Sequence, residues 1–283
     1  MMNRSIFITG SSSGLGKAAA IYFAENGWNV AASMRNPEKE EELGRFENIK
    51  LIKLDVTKPD EIKTAIQEAI RIFGKIDVVL NNAGVGIYGA LELIDEVNID
   101  NSYAINVRGV INVIRGFLPH FRNNGKGMFI NVGSVMGRST AMPLGSLYNM
   151  SKFALEGLTE GLYFELKPLN IELRLIEPGG FHSEFGSKII LPESDKLTGY
   201  SGLTKTVKER LNKAVSDPDT KALDNIVKTI YHTATGRRTK FRTAVGKDAK
   251  ALLFIRKILP IGMFLNFLTK LFKPQPDGPK ISN

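Results

Sequence analysis

The first 180 residues alternate short apolar segments with longer amphipathic ones, and this alternation limits the fold more than any other feature of the chain. The apolar segments are predicted strands, at residues 5–9, 29–33, 49–54, 77–80, 126–132 and 171–177. The amphipathic segments are predicted helices, at 14–26, 59–73, 98–122 and 146–169. Strands that alternate with helices form a parallel sheet covered on both faces. The sequence therefore predicts an α/β fold, with a single doubly wound parallel sheet of the Rossmann type.

The pattern changes after Gly180. Residues 181–201 mix apolar, charged, proline and glycine residues, which predicts a loop or lid. Two helical patterns and a short alternating strand follow, at 203–215, 220–234 and 240–245. The sequence shows neither an internal repeat nor a low-complexity linker. We therefore expect residues 1–283 to form one domain that includes the 181–201 lid and a helical C-terminal extension, 249–283.

The tail at 249–272 is apolar but interrupted, by Arg256, Lys257, Pro260 and Asn266. Because a membrane span needs about 20 apolar residues, the tail predicts two short amphipathic helices instead. The favoured interpretation is that the tail packs mostly against protein, in its own chain or a neighbouring subunit. Contact with a membrane surface, or a role in substrate access, is the alternative.

The net charge of +9 is unevenly distributed along the chain. From Thr204 to the end, 17 lysine and arginine residues stand against six aspartate and glutamate residues. Such an excess suits nucleic acid, an anionic membrane or simply a solvated helical surface. Because aromatic residues are not interleaved with it on a recognisable binding module, we expect no nucleic-acid partner.

The absence of cysteine and the small number of histidines limit the kinds of catalytic and metal sites that the chain can form. The chain has no cysteine, which excludes disulfides and thiolate catalysis and suits a cytoplasmic protein. Its three histidines lie far apart in the sequence, at His120, His182 and His232, so we expect no structural metal. The first residues lead directly into a predicted strand, so we expect no signal peptide and a cytoplasmic location.

A serine- and glycine-rich turn joins the first strand to the first helix, in the stretch FITGSSSGLGKAAA at residues 7–20. A turn of this kind directs backbone N–H groups at an anion, on the positive end of the helix dipole. Glycine also lets a ligand approach the backbone closely. A flexible turn is the alternative, and the spacing G-x-x-x-G-x-G differs from the commoner G-x-G-x-x-G.

Four further features follow this turn in order. Asp55 ends the third strand and is predicted to bind the amino group of a base or to cap the next helix. Small residues at 81–84 (NNAG) would let a flat ligand lie against the sheet edge, or form a plain turn. Ser134 follows the fifth strand, and Tyr148 and Lys152 share one helix face at i, i+4. A cation at that distance is predicted to lower the phenol pKa from about 10, so that Tyr148 can transfer a proton near neutral pH.

Taken together, these residues resemble the short-chain dehydrogenase/reductase family in its Ser-Tyr-Lys branch. The resemblance rests on T-G-x-x-x-G-x-G at 9–16, N-N-A-G at 81–84, Ser134 ahead of Tyr148-x-x-x-Lys152, and P-G at 178–179. It is close over residues 4–182 and looser beyond them. The stretches MRNPEK and AVGKDAKALL are loosely similar to steroid- and retinol-dehydrogenase-like members of that family.

The resemblance implies a catalytic role for each of four residues. Tyr148 would protonate a carbonyl oxygen or accept the proton of an alcohol, and Lys152 would lower its pKa and bind the nicotinamide ribose. Ser134 would orient the substrate oxygen, and Asn106 would hold a water in the proton relay. The coenzyme would supply the hydride. Ser134 and Tyr148 are 14 positions apart where the family usually has 13, and we expect a loop to absorb the extra residue.

The resemblance also implies a set of coenzyme-binding residues: Gly10, Ser12, Ser13, Gly14, Leu15, Gly16, Arg35, Asp55, Val56, Asn82, Ala83, Gly84, Tyr148, Lys152, Pro178, Gly179 and Ser183. Ser183 stands where a threonine commonly contacts the coenzyme amide. An acid about 20 residues after the turn would bind the 2′-hydroxyl of NAD. The second strand ends instead at Arg35, whose guanidinium suits a 2′-phosphate. This favours NADP(H) over NAD(H), with a solvated arginine as the alternative.

The sequence therefore predicts an oxidoreductase that interconverts a carbonyl and an alcohol on a small, hydrophobic substrate. By resemblance, the apolar helices at 98–122 and 146–169 would pair subunits into a homodimer or homotetramer. A non-catalytic dinucleotide-binding sensor or scaffold of the same fold is the alternative. Because such relatives typically lose the tyrosine or the lysine, the presence of both Tyr148 and Lys152 counts against it.

Overall fold

The computed structural model describes residues 3–180, 190–191, 198–216 and 220–273. Its centre is a parallel sheet of seven strands in the order β3-β2-β1-β4-β5-β6-β7. The strands are β1 (Ser5–Thr9), β2 (Asn29–Met34), β3 (Ile49–Lys53), β4 (Val78–Asn81), β5 (Gly127–Val132), β6 (Ile171–Pro178) and β7 (Arg242–Val245). The order reverses between β1 and β4, which is where a sheet of this type forms a binding crevice. The predicted fold class is confirmed.

Helices cover both faces of this sheet. They are α1 (Gly14–Glu25), α2 (Pro59–Phe73), α3 (Glu96–Tyr103), α4 (Val110–Asn123), α5 (Ser146–Leu166), α6 (Ser201–Ser216), α7 (Lys221–Ala234), α8 (Lys247–Ile258) and α9 (Ile261–Leu271). The predicted helix at 98–122 is present, but it contains an unforeseen π-helical segment, Ala104–Gly109, between α3 and α4. Segments of this kind often lie at functional sites, and this one carries Asn106.

Side chains alternate between two apolar cores along each strand. Ile6 and Ile8 of β1 point to one face of the sheet and pack with α1 and α7. Phe7, between them, points to the other face and packs with α2, α4 and α5. Both cores consist of fully buried apolar side chains. The sheet is therefore fixed from both sides, and its carboxyl edge is a rigid platform for the loops that follow the strands.

The C-terminal extension forms two short helices, as predicted. Leu259 and Pro260 separate α8 from α9, since a proline has no N–H to continue the first helix. Within its own chain the tail is packed only in part, because more of its large apolar side chains are exposed than buried, and packing against a neighbouring subunit stays a prediction. The exposed ones are Phe254, Ile258, Ile261, Met263, Leu265, Phe267 and Leu271. In the part of the chain that is described, no helix combines the length and hydropathy that a membrane crossing requires.

Most of the predicted lid, and Ser183 with it, lies outside the described residues. Ile190 is described, and it forms a parallel bridge with Ile87 in the loop after β4. The backbone N–H of Tyr88 donates to the Ile190 carbonyl at 2.9 Å, and the Ile190 N–H donates to the Gly86 carbonyl at 3.0 Å. One point of the predicted lid is thus fixed to the loop that carries the N-N-A-G motif.

Candidate active site

The predicted site residues follow six neighbouring strands at one edge of the sheet. Parallel strands bring their carboxyl ends to the same edge. The residues that stand at these ends are Gly10 after β1, Arg35 after β2, Asp55 after β3, Asn82 after β4, Ser134 after β5, and Pro178 at the end of β6. The structure therefore brings together side chains that are up to 168 positions apart in the sequence.

The glycines of the first turn are required by its geometry. Gly10 has a φ of +71° and Gly14 a φ of +54°, in the left-handed region that favours glycine. A Cβ on Gly10 would lie 2.9 Å from the Cα of Ala83, and a Cβ on Gly16 would overlap the carbonyl oxygen of Gly10. The spacing G-x-x-x-G-x-G thus permits a tight turn against a neighbouring loop.

Thr9 and Asn82 hold that turn against the loop after β4. The Thr9 hydroxyl oxygen accepts from the backbone N–H groups of Asn82 and Ala83, both at 3.0 Å. The Asn82 amide nitrogen donates to the carbonyls of Thr9, at 3.0 Å, and Gly10, at 3.1 Å. Gly84 lies beyond them at the surface. The N-N-A-G motif is therefore a clamp on the glycine turn.

The start of α1 is a suitable site for a diphosphate. Ser13 is the N-cap residue, and its extended backbone leads into a first turn made of Gly14, Leu15, Gly16 and Lys17. That turn carries no acid, so its backbone N–H groups and the helix dipole favour an anion. Ser12 is exposed beside it, while Leu15 is buried and anchors the turn in the core. These residues fit the anionic part of a dinucleotide.

Arg35 and Asp55 lie on the adenosine side that this arrangement implies. Arg35 is exposed immediately after β2. Burial raises the pKa of Asp55, but hydrogen bonds from the Thr57 N–H (3.0 Å) and hydroxyl (2.8 Å), together with the charge of Arg35, lower it overall. The alternative that Asp55 caps α2 is not seen, because the N-cap of α2 is Lys58. Val56 is buried against Gly109, where a Cβ would lie 3.0 Å from its Cγ2.

Ser134, Tyr148 and Lys152 form one buried group between β5 and α5. The Ser134 hydroxyl oxygen accepts from the Met136 N–H at 3.1 Å, and the Ser134 hydroxyl is also hydrogen-bonded to that of Tyr148. The Lys152 ammonium donates to the Val132 carbonyl at 2.9 Å and lies 5.6 Å from the centre of the Tyr148 ring. The extra residue between Ser134 and Tyr148 is accommodated in a loop where Leu144 has a φ of +60°.

The pKa of Tyr148 differs from the sequence-based expectation. Burial raises it to about 12, against a smaller lowering by the Ser134 hydrogen bond. Burial also lowers the pKa of Lys152 to about 8, although the charge of Glu156 opposes this shift. The expectation of a lowered Tyr148 pKa is therefore wrong for the chain by itself, because burial disfavours the phenolate and the charge of Lys152 is not among the causes of the shift. The Tyr148 phenol is therefore protonated at neutral pH.

Asn106 connects the π-helical segment to both sides of the site. Its amide oxygen accepts from the Val85 N–H at 2.8 Å, and its amide nitrogen donates to the Val85 carbonyl at 2.9 Å. The same nitrogen donates to the Ser151 hydroxyl at 3.0 Å, which in turn donates to the Tyr148 carbonyl at 2.8 Å. Asn106 thus fixes the loop after β4 relative to the helix that carries Tyr148. Its predicted contact with a water stays a prediction.

The sequence reasoning missed Tyr88, which stacks on Tyr148. The two ring centres are 5.6 Å apart at an interplanar angle of 28°, and the Tyr88 hydroxyl donates to the Met136 sulfur at 3.4 Å. Burial raises the pKa of Tyr88. An aromatic residue four positions after Gly84, in a loop that already carried a motif, was the available signal.

Asp248, in the first turn of α8, was also missed. Its carboxylate accepts from the Gly180 N–H at 2.7 Å, and a Cβ on Gly179 would overlap it. The Gly179 N–H donates to the Val245 carbonyl at 2.9 Å. The Pro178-Gly179-Gly180 turn is therefore held by the start of the C-terminal extension. Since 68 residues separate Gly180 from Asp248, no local pattern could have indicated the contact.

A buried charged network lies one helical turn beyond Lys152. Glu156 accepts from the Arg242 guanidinium at 2.8 Å, and Glu177 accepts from Arg138 at 3.3 Å. Burial, followed by the nearby charge of Glu177, raises the pKa of Glu156 to about 8, while Arg242 lowers it. This network joins α5 to β6 and β7 directly behind the lysine of the site.

Comparison with known proteins identifies the family to which this chain belongs. Residues 4–193 match the short chain dehydrogenase family. The chain is 33% identical over 286 residues to the oxidoreductase YusZ of Bacillus subtilis, covering 95% of this chain and 99% of that one. A 3-ketodihydrosphingosine reductase of Bacteroides thetaiotaomicron is 37% identical over 185 residues, 65% of this chain and 66% of its own.

Among solved structures, a short-chain dehydrogenase of Streptomyces avermitilis superimposes with a TM-score of 0.81 at 27% identity, covering 95% of both chains. The matches span 64–66% of the length of the first three curated relatives, slightly under two thirds. Over most of its length, this chain belongs to the short-chain dehydrogenase/reductase family, whose members are oxidoreductases that depend on a nicotinamide dinucleotide.

Proposed function

We propose that this chain is an NADP(H)-preferring oxidoreductase that interconverts a carbonyl and an alcohol on a hydrophobic substrate, with Tyr148 as the acid and base. The observation that carries the proposal is the buried hydrogen bond between Ser134 and Tyr148, with Lys152 one helical turn away. This group lies at the same sheet edge as the glycine turn. The proposed proton donor, Tyr148, and the proposed coenzyme-binding turn therefore lie in one crevice.

The coenzyme site is proposed from the shape of the turn. The first turn of α1 would hold the diphosphate, Asn82, Ala83 and Gly84 would line the path toward the nicotinamide, and Pro178 and Gly179 would bound its far side. When bound, the coenzyme supplies or accepts the hydride. Ser183 remains part of the proposed set, outside the described residues.

Arg35 supports the preference for NADP(H). It follows β2 directly, it is exposed, and its charge acts on Asp55 across the strand ends. A guanidinium at this place can form paired hydrogen bonds with a 2′-phosphate. An acid there would instead bind the 2′-hydroxyl of NAD.

The proton chemistry follows from the order of the hydrogen bonds. The Ser134 hydroxyl holds the substrate oxygen beside the Tyr148 hydroxyl, which gives its proton to that oxygen in reduction and takes it back in oxidation. Because the Tyr148 pKa is about 12, the phenol is protonated at neutral pH and suited to reduction. The Lys152 ammonium stabilises the phenolate that forms once the proton has left.

The surroundings of Tyr148 support a hydrophobic substrate. Buried or partly buried apolar side chains form a cluster beside it: Tyr88, Val135, Met136, Ala141, Met142, Leu191, Ala244, Ala249, Leu252 and Leu253. Apolar walls with few polar groups are typical of small-molecule sites. The Bacteroides relative is named for the reduction of a keto lipid, 3-ketodihydrosphingosine.

We further propose a homodimer or homotetramer in the cytoplasm, with residues 1–283 acting as one domain. On α5, Met150, Phe153 and Phe164 are exposed, Phe164 to 74%. Large apolar side chains on one helix suit a subunit interface.

A coenzyme-dependent absorbance screen tests the function. The purified chain would be incubated with NADPH or NADH and with aldehydes, ketones, steroids and retinoids, and in the reverse direction with the alcohols. We expect NADPH-dependent turnover that is faster for apolar carbonyl compounds than for polar ones. Coenzyme binding without turnover of any substrate would instead favour the non-catalytic sensor.

A further inference from the structure

Two sets of apolar contacts hold the α8–α9 hairpin to the protein. Ala249, Leu252 and Leu253 of α8 pack in the cluster beside Tyr148, and a second seam lies along α9. Phe264, Leu268 and Phe272, at i, i+4 and i+8 along α9, are buried and pack with Met142 and partly buried side chains of α8. Two arginine side chains also contact the aromatic rings of this seam. The Arg256 guanidinium lies 5.6 Å from the centre of the Phe264 ring, and the Arg210 guanidinium lies 4.2 Å from that of Phe272. Outside these two contact regions, the described side chains of the hairpin are mostly exposed.

The rest of the hairpin exposes apolar side chains at high density. Of the 15 large apolar side chains exposed among the described residues, seven lie between Phe254 and Leu271. Phe254 and Ile258 are exposed to 62% and 58%, and their i, i+4 spacing places them side by side on α8. Exposed large apolar side chains concentrated in one segment in this way mark an interaction site.

Basic residues border these apolar side chains. The 27 residues from Lys247 to Lys273 contain six lysines and arginines and one aspartate. On α8, Lys250 and Lys257 are exposed at i−4 of Phe254 and i−1 of Ile258, on the same side of the helix. Exposed aromatic and aliphatic side chains beside lysines are the composition of a helix that lies in the surface of an anionic bilayer.

We propose that the α8–α9 hairpin docks the protein onto an anionic lipid bilayer. Its helices have 12 and 11 residues, too short to cross a bilayer but sufficient to lie in the headgroup region. Phe254, Ile258 and the exposed side chains of α9 enter the acyl boundary, and the lysines contact lipid phosphates. This proposal concerns location and does not depend on the coenzyme preference or on the reaction.

Docking would also place the active site beside the lipid. Met142 and Leu252 belong both to the apolar cluster around Tyr148 and to the cluster that holds α9. Apolar contacts therefore run without interruption from the proposed catalytic tyrosine to the hairpin. A substrate dissolved in the bilayer would meet an apolar surface all the way to the site.

A second copy of the chain fits this surface less well. Subunits related by a two-fold axis bring the same patch face to face. The hairpin would then oppose its own lysines and arginines, with one aspartate per subunit for compensation. Like charges at close range are unfavourable. An anionic surface pairs with the same lysines and arginines and avoids this repulsion between like charges.

Sedimentation with lipid vesicles tests the proposal. The intact chain would be mixed with vesicles of phosphatidylcholine and phosphatidylglycerol in equal parts, and separately with phosphatidylcholine alone. We expect co-sedimentation with the anionic vesicles that weakens with salt and is much weaker with the neutral ones. Phe254→Ser combined with Ile258→Ser should lower the partition coefficient by about tenfold or more, since two apolar anchors are lost. The matched pair Leu91→Ser and Val97→Ser, also exposed apolar residues, should leave it unchanged.

Charge-reversal variants measure how much of the vesicle binding is electrostatic. Lys250→Glu with Lys257→Glu should abolish the preference for anionic vesicles, whereas Lys63→Glu with Arg71→Glu, two exposed cations on α2, should retain it. Circular dichroism would confirm that each variant is folded. Absence of vesicle binding by the wild-type chain overturns the proposal. If the wild type does not bind vesicles and the Phe254→Ser, Ile258→Ser variant forms a smaller oligomer by light scattering, the proposal is also overturned. The hairpin would then be a subunit interface.

Discussion

At the scale of single residues, burial sets the protonation of the proposed catalytic group. Tyr148 is 8% exposed and Lys152 is 7% exposed, so both charged forms are disfavoured. The phenol pKa rises to about 12 and the ammonium pKa falls to about 8. The sequence indicated which residues would meet, because i, i+4 spacing fixes the helix face. It could not indicate the direction of the Tyr148 shift, because burial depends on the packing of Tyr88 and other residues from distant segments.

The lowered Lys152 pKa predicts a pH dependence. Its charge is present below about pH 8 and is lost as the pH rises through that value. Because the phenolate that forms during reduction loses a stabilising cation, kcat for carbonyl reduction should fall through the same range. Lys152→Arg keeps the charge to a much higher pH. In that variant the decline near pH 8 should disappear, whatever its absolute rate. An identical decline in both proteins would assign the titration to another group.

Arg35 predicts a difference between the two coenzymes. Arg35→Ala removes the guanidinium proposed to bind the 2′-phosphate, so binding of NADPH should weaken by about 1.5–3 kcal/mol, the range for a charged hydrogen bond. Binding of NADH should hardly change. Fluorescence titration with both coenzymes measures the effect, and Lys39→Ala, an exposed cation four residues away, is the control. Equal weakening of both coenzymes would show that Arg35 does not bind the phosphate.

At the scale of elements, local patterns predicted most of the strands and helices. β1 and α2 begin and end where the sequence placed them, since apolar runs, prolines and glycines mark their limits. The π-helical segment at 104–109 was missed because Asn106 has its partners, Val85 and Ser151, 21 and 45 residues away. The contact between Asp248 and Gly180 is of the same kind. Elements follow from local sequence, whereas the contacts that aim the site residues do not.

The glycine turn gives a prediction at this scale. Gly16→Ala would push a methyl group into the Gly10 carbonyl and the Asn82 amide, and overpacking of this kind typically costs about 1–3 kcal/mol of stability. Gly262→Ala, near the start of α9 with nothing within 4 Å of the new methyl, should stabilise by up to about 1 kcal/mol. Thermal unfolding compares the two. A Gly16→Ala variant as stable as wild type, with unchanged coenzyme affinity, would contradict the close-packed turn.

At the scale of the whole molecule, exposed large apolar side chains of the described residues are concentrated in two regions. One is the face of α5 that carries Met150, Phe153 and Phe164, and the other is the α8–α9 hairpin. The sequence identified the α5 segment as an apolar helix that would pair subunits, and the tail as an interrupted apolar segment that would pack mostly against protein. It could not divide their side chains between core and surface, because that division depends on which neighbours cover each helix. The sheet order, in contrast, was limited from the start by the alternation of strands and helices.

Assembly through α5 can be measured directly. Light scattering at micromolar concentration should give the mass of a dimer or tetramer of the 31.2 kDa chain. Phe164→Asp, which places a charge on the most exposed aromatic of α5, should shift the distribution toward smaller species. Leu91→Asp, at an exposed apolar position that precedes α3, is the matched control. A monomeric wild type would contradict the proposed interface.

The central claim is that Tyr148 transfers the proton. A variant that lacks its hydroxyl tests this claim, and a second variant in the same pocket is the control. Tyr148→Phe keeps the ring but not the proton, so kcat should fall by about 100-fold or more while coenzyme affinity stays near wild type. Tyr88→Phe removes the hydroxyl of the ring that stacks on it at 5.6 Å, and kcat should change by no more than a few-fold. Steady-state kinetics with the best substrate of the screen gives both values. A Tyr148→Phe enzyme that keeps more than roughly a tenth of wild-type turnover, well above that expected range, would contradict the account.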